Sequence, residues 1–481
     1  MKRILAFLIG ALVLSAATAS AGDPVRDDRA ARIDGWLSAH AGMDAFHGVA
    51  LIADDEGVLL ERGYGFANRE WEIPNAPDAR YRIGSVTKQF TAALVMRLVG
   101  EGRLSLDAHL SDLLPWYRAD TGARVTLRQL LNHTSGIDRS GVPRLIAERA
   151  CSPMPLREEV ETYCSGDLEW EPGERFGYNN AAYLILGAVI EEVAGRPYEQ
   201  VLAELILEPA GLLHTGMDHP EVILPMRAEG YERSTDGIRK APFVHATLAA
   251  SAGGLRSTVR DLYRWDRSLY TDIVLSDEAR EEMFTPGLGN YGFGWFVLRA
   301  PLGPGGAERT LIRHPGQGDG FYTVFWRIPE DRIAVVLIAN LYENALPSMA
   351  QGIVDILYER EPRMSVALAV RHAFEAEGID AAVARYRELR VSEPERYDFG
   401  ENELNGLGYA LFGDGRTDEA IALFALNAEM FPESANAYDS LAEALAARGE
   451  IERAVEMYGR ALAVDPGFEH AAEMLKRLEE R

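Results

Sequence analysis

Apolar residues recur at helical spacing from about Ala30 to His40, and the chain then switches to two short apolar runs, Gly48 to Ala53 and Val58 to Phe66. Between them stands Asp54-Asp55-Glu56-Gly57, and a polar, glycine-ended break between two runs of strand length predicts a hairpin. From about Ser85 to Leu269 helical periodicity dominates, punctuated by Pro and Gly; Ala181 to Val193, closed by Gly195-Arg196-Pro197, predicts a helix. Strand patterns return at Gly294 to Leu298, Thr310 to Arg313, Phe321 to Ile328 and Ile333 to Ala339, the last two joined by Pro329-Glu330-Asp331. A helix from about Ala345 to Tyr358 follows. Strand-forming segments at both ends of a helical middle predict an α+β fold: one antiparallel sheet built from both ends, flanking helices and an all-helical subdomain.

After the charged stretch Glu359-Arg360-Glu361-Pro362-Arg363 the pattern becomes a repeat of 34 residues, Glu401 to Ser434 and Ala435 to Phe468. Leu404, Leu407, Gly408, Leu411, Gly415, Ala420, Phe424 and Pro432 fall against Tyr438, Leu441, Ala442, Leu445, Gly449, Ala454, Tyr458 and Pro466. Small residues at Gly408, Ala420, Ala442 and Ala454 let paired helices approach, and the large apolar positions fill the space between pairs. The two copies resemble tetratricopeptide repeats. A degenerate copy over Ser365 to Arg396 and a polar closing helix from Glu469 to Arg481 complete an all-α domain over 365–481. It carries 12 basic and 24 acidic residues. Either its concave face binds a protein or peptide partner, or it packs against the preceding domain or a twin subunit.

At the other end, Lys2 and Arg3 precede an apolar run from Ile4 to Leu14 and then Ala19-Ser20-Ala21, which predicts a signal peptide over 1–21 cleaved near Ala21. The run is too short to span a bilayer. The expectation is a periplasmic or secreted protein with a catalytic domain over 22–358 and no membrane span. In an oxidising compartment Cys151 and Cys164 are expected to form a local disulfide, worth about 3 kcal/mol for a loop of that size, with two free thiols as the alternative. The whole chain, 481 residues with a net charge of -25, repels nucleic acid and anionic lipid. Only Lys2, Lys88, Lys240 and Lys476 are lysines, so a reaction needing a deprotonatable amine has few candidates.

One of those lysines stands in Gly84-Ser85-Val86-Thr87-Lys88, opening a helix whose apolar face includes Phe90, Leu94 and Leu98. Ser85 and Lys88, three apart, share one face of the first turn. A helix N-terminus favours an oxyanion and disfavours a protonated amine, so Lys88 can serve as the base that a serine without a histidine needs. Tyr178-Asn179-Asn180 adds a phenol and an amide, although Tyr342-Glu343-Asn344 has the same spacing. Of three His-x-Gly matches, at His40, His214 and His314, the last ends a strand signal beside the closing strand pair, where backbone amides can face a substrate. His214 follows the Pro209-Ala210-Gly211 breaker and reads as structural.

Ser-x-x-Lys, Tyr-x-Asn and His-x-Gly in that order resemble the serine β-lactamase and DD-peptidase superfamily, close to its class C β-lactamase-related branch. Leu130-Leu131-Asn132-His133-Thr134-Ser135-Gly136, Trp170-Glu171-Pro172-Gly173, Ala252-Gly253-Gly254-Leu255-Arg256-Ser257-Thr258 and Tyr291-Gly292-Phe293-Gly294-Trp295 carry the likeness over about residues 30 to 358. The resemblance implies a β-lactamase/transpeptidase-like fold and an acyl-enzyme mechanism. Ser85 would be the nucleophile, Lys88 and Tyr178 would share general base and acid duty, and Asn180 would hold Lys88 and the substrate amide. His314 and Gly316 would line the substrate strand, and the amides of Ser85 and Gln317 would form the oxyanion hole. The expected activity is that of a carboxylesterase or D-amino-acid peptidase. His314 stands where β-lactamases of this branch usually carry lysine, which implies weak β-lactam turnover at most. The alternative is an inactive hydrolase fold that binds partners through its repeats. No cofactor or metal is expected: HExxH, Cys/His ligand spacing and a GxSxG elbow are all missing, and Gly316-x-Gly318-x-Gly320 leads into a strand.

Overall fold

A computed structural model describes residues 24–234, 237–342 and 345–479. The signal peptide expected over 1–21 lies outside the described residues, as do Glu343 and Asn344 of the second Tyr-x-Asn match. The central antiparallel sheet holds β1 (Gly48–Asp54), β2 (Gly57–Tyr64), β3 (Phe296–Ala300), β4 (Arg309–Gly318), β5 (Phe321–Ile328) and β6 (Ile333–Ala339), in the order β3-β4-β5-β6-β1-β2. β1 pairs with β6 from Gly48↔Ala339 to Ala53↔Ala334, so the two ends of the domain meet in mid-sheet.

Every residue of β1 and β6 is buried. Val49, Leu51 and Ala53 enter the core shared with the helical middle, while Ala50 and Ile52 enter a second core with α1 (Pro24–Gly42) on the opposite face. A strand covered on both faces has no polar side, which is why these segments read as continuous apolar runs. The same reasoning applies to α2 (Thr87–Gly100). Phe90, Leu94 and Leu98 are buried as its apolar face, and Thr87 through Met96 are buried as well, because α2 runs through the core and packs against α3 (Asn180–Ala194).

β4 is longer than the Thr310 to Arg313 signal. Arg309 to Leu311 pair with β3, Ile312 and Arg313 with both β3 and β5, and from His314 onward the strand pairs with β5 alone. Along this free edge a proline costs no second ladder bond, so the strand runs on through Pro315 although its apolar alternation has ended. Asp319 and Gly320, both left-handed (φ +53° and +83°), turn β4 into β5 as a two-residue hairpin with Asp-Gly at its tip. The expected disulfide is absent: Cys151 is exposed, whereas Cys164 is buried at the end of the helix Leu156–Tyr163. The two thiols occupy different environments, and burial, with Glu159 and Asp138 nearby, pushes the Cys164 thiol up.

After α4 (Leu346–Leu357) come α5 (Val366–Glu377), α6 (Ile379–Ser392), α7 (Glu401–Gly413), α8 (Thr417–Met430), α9 (Ala435–Arg448), α10 (Ile451–Val464) and α11 (Glu469–Glu479). Gly408 shows why small residues recur: a Cβ there would sit 2.5 Å from the Phe424 ring of the next helix. The second core continues from the outer sheet face through α4 into these helices. Arg233, outside the central sheet, pairs with Glu375 of α5 at 3.2 Å. The repeats are therefore packed onto the preceding domain. Among the described residues no helix is long and apolar enough to cross a membrane.

Trp36 pins α1 to α4: its indole N–H donates to the Met349 carbonyl at 3.1 Å, and Gly352 leaves room for its ring. Trp36→Ala is expected to lower unfolding free energy by about 3–5 kcal/mol, read as a shift of the urea midpoint.

Candidate active site

Gly84–Val86 form a single tight turn that leads directly into α2. Gly84 is left-handed (φ +51°), and a Cβ on it would lie 2.6 Å from the Gln317 amide nitrogen; a Cβ on Gly316 would lie 1.9 Å from the Ile83 carbonyl oxygen. Two glycines thus let the turn and the free edge of β4 meet backbone to backbone. This contact places the Gln317 amide one residue from Ser85.

Lys88 is fully buried, and its amine reaches Ser85 Oγ at 3.0 Å, Asn180 Oδ1 at 2.8 Å and the Ala252 carbonyl at 2.7 Å. No carboxylate is among these partners, so nothing offsets the loss of water, and burial drives the amine well below its ordinary pKa. In the neutral amine the two N–H bonds point to the two carbonyl oxygens, which can only accept. The lone pair is left facing the Ser85 hydroxyl.

Asn179, extended and half out of α3, accepts the Ala181 amide at 2.9 Å and caps the helix. Tyr178 therefore precedes the helix and Asn180 starts it, one on each side of Lys88, whose nitrogen is 4.9 Å from the Tyr178 ring centre. Burial raises the Tyr178 phenol, against a hydrogen bond with Ser85, so it keeps its proton.

His314 is buried behind this group. Its Nδ1 donates to the Pro315 carbonyl at 2.6 Å, and its Nε2 accepts from the Tyr291 hydroxyl at 3.0 Å. Burial and the nearby Lys88 lower it to about 3, so it is neutral. Ser85, Asn180 and Gln317 line an open cleft of about 630 Å³ with Val142, Ile146 and Leu184, whereas His314 and Gly316 do not reach it.

His133 was left without a role by motif reading, although it lies inside the quoted Leu130 to Gly136 stretch. Its Nδ1 accepts the Asn179 amide at 3.1 Å, which leaves the proton on Nε2, buried without a partner among the described residues. Its ring packs 4.4 Å from that of Tyr178 and 4.7 Å from that of Tyr291, and so supports the phenol beside Lys88. The left-handed backbone at His133 (φ +59°), invisible to spacing, aims the ring inward.

A serine hydroxyl held against an unprotonated lysine, beside a phenol and a free strand edge, defines the serine hydrolases that work without a catalytic histidine. The chain belongs to the Beta-lactamase family, which matches residues 33–356, and its C-terminal region matches the Tetratricopeptide repeat over residues 411–478. It is 28% identical over 301 residues to PbpX of Bacillus subtilis (strain 168), described as a putative penicillin-binding protein, covering 62% of this chain and 72% of that one. The crystal structure of penicillin binding protein from Bacillus halodurans is 27% identical with a TM-score of 0.58, covering 66% of this chain and 97% of that one. A D-stereospecific amidohydrolase from Streptomyces sp. is 25% identical with a TM-score of 0.56, covering 65% and 94%.

Gly84→Ala should force the turn off β4. The expected result is a loss of about 1–3 kcal/mol in stability and a large fall in covalent labelling of Ser85, measured together by thermal melting and labelling with a fluorophosphonate.

Proposed function

We propose that this serine hydrolase forms an acyl-enzyme at Ser85 on an ester or amide, in the manner of a carboxylesterase or D-amino-acid peptidase. The observation that carries the reading is the Lys88 amine, stripped of water and charge and hydrogen-bonded to the Ser85 hydroxyl. Lys88 takes the hydroxyl proton as Ser85 Oγ bonds to the carbonyl carbon. The Ser85 and Gln317 amides receive the developing oxyanion, and Asn180 holds Lys88 and the substrate amide. Tyr178, still protonated, gives its proton to the departing amine or alkoxide. Water then attacks the acyl-serine, its proton passing to the Tyr178 phenolate, and Lys88 returns its proton to Ser85 Oγ as the acid leaves.

The amidohydrolase likeness supports amide substrates of D configuration. The penicillin-binding relative supports acylation by β-lactams, but neutral His314 offers no cation to a β-lactam carboxylate, so turnover there is slow. The signal-like first residues support a periplasmic or secreted location, and the repeats support a protein or peptide partner.

Intact-mass spectrometry tests the reading. A fluorophosphonate or a penicillin should add one adduct that Ser85→Ala abolishes; wild-type protein that stays unlabelled under every condition refutes it. The pH profile of kcat/KM is a second check. The base must be unprotonated, so activity is lost as pH falls through the lowered Lys88 pKa, while the raised phenol predicts no alkaline limb below about pH 10.

A further inference from the structure

Beside the hydrolytic cleft, and sharing Arg82, Val244 and Asp319 with it, lies a larger open recess of about 930 Å³. A small sheet of Tyr81–Arg82, Leu255–Ser257 and Gly216–Met217 runs next to it, with Arg82 directly opposite Arg256. Like charges facing each other across strands are unfavourable unless something neutralises them. Arg80 and Arg227, bridged to each other through their backbones, add two more guanidinium groups.

The carboxylates do not balance them. Asp218, 3% exposed, accepts from Arg82 at 2.7 Å and pairs with Arg227 at 3.3 Å, and Asp319 holds the other arm of Arg82 at 2.5 Å. Arg80 reaches only neutral acceptors, the Pro225 carbonyl and His214 Nδ1, and Arg256 bonds the Met217 carbonyl. Arg80, Arg82 and Arg227 line the recess with Lys240, against Asp218, Glu229 and Asp319, and Arg256 stands opposite Arg82 in the small sheet. At the rim Lys240 is paired with two carboxylates, Glu70 at 3.0 Å and Glu229 at 3.7 Å. The Nε–H groups of Arg80, Arg227 and Arg256 are buried without an acceptor among the described residues. Burial, with crowding by Arg80 and Arg227 acting the same way against the pull of Asp218, lowers the Arg256 pKa. A purely structural ion cluster would pair its charges and fill its donors; this one leaves Arg80 and Arg256 without a carboxylate partner and three N–H groups over.

We propose that the arginine recess is an anion subsite of the hydrolytic cleft, holding a carboxylate or phosphate group carried by the substrate. The proposal rests on the hydrolase reading above. Guanidinium groups in a fork suit the paired oxygens of such groups. Arg82 stands three residues before Ser85, and Asp319 two after Gln317. An anion held beside Arg82 by Arg80 and Arg227 therefore lies next to both walls of the acylation site, and the subsite selects substrates with a second, acidic end.

The test compares p-nitrophenyl half-esters of dicarboxylic acids of increasing length with uncharged alkanoates of matched length. Parallel series carry the carboxylate on the leaving group or a terminal phosphonate on the acyl chain. At one chain length kcat/KM for an anionic ester should exceed that of its neutral match by about tenfold or more, and about 0.5 M NaCl should erase the preference. Which series shows the preference identifies the side of the scissile bond and separates carboxylate from phosphate recognition. Arg227→Gln and Arg80→Gln should each collapse the anionic-to-neutral ratio, and Arg227→Lys should restore part of it. No preference in any series, or a preference indifferent to salt and to both arginine variants, overturns the subsite. Fluorophosphonate labelling of Ser85 in the same preparations keeps that failure distinct from failure of the hydrolase reading.

Discussion

An amine with no carboxylate beside it, sealed from water, is the constraint on which the rest of the domain depends. A lysine brought into a protein interior gives up its charge unless a counter-ion comes with it. Here the partners of Lys88 are a hydroxyl, an amide and a carbonyl, all uncharged. The surroundings are built to keep it so. α2 is buried on every side, Tyr178 and Tyr183 lie against the amine at 4.9 and 5.5 Å, and Ala252 supplies a carbonyl from a separate segment. Water admitted there would return the proton.

Holding that amine against a serine is only half of the arrangement; the serine must also face a strand edge. The sheet solves this by ending β3 short of β4's last residues, so that β4 from His314 onward has an unpaired side. Such an edge normally invites aggregation. In this molecule the Gly84 turn lies along it, and Gly84 and Gly316 make the approach close enough for backbone groups from two distant parts of the chain to share one cleft. The β5–β6–β1 core, buried on both faces, gives the edge its rigidity.

Much of this was legible beforehand, and the parts that were not have physical reasons. β1, β5 and β6 read correctly because burial on both faces leaves a plain apolar run. β4 was cut short at Arg313 because hydrophobic alternation stops there, while the strand itself is carried on by pairing to β5 through a Pro-Gly-Gln-Gly segment that propensity disfavours. The apolar face of α2, Phe90, Leu94 and Leu98, is buried as read, and Thr87 through Met96 are buried as well because the helix runs through the core. Ser85, Lys88, Tyr178 and Asn180 were found by spacing. Their spatial order came from the Asn179 cap and the Gly84 turn, which spacing does not encode. His133 and Tyr291 lay within recognised stretches but had no assignable chemistry until their neighbours were known, and the Cys151–Cys164 pairing was inferred from compartment and loop length rather than from orientation.

The group around Lys88 behaves as one titrating unit. His133 and His314 are each lowered by burial and then by the proximity of Lys88, and they approach the same aromatic cluster of Tyr178 and Tyr291. Charges this close in a dry interior exclude one another, so the three bases together accept a first proton far more readily than a second. That proton belongs on Lys88, the most basic of the three. Replacing a cationic side chain at 314 by a neutral histidine therefore does two things at once. It spares the site a fixed positive charge that no carboxylate balances, and it removes from the wall behind the carbonyl the group best suited to hold an anion. Recognition of an acidic substrate group then has to be met elsewhere along the cleft, and the arginines flanking Arg82 stand where it can be met without placing charge beside the base.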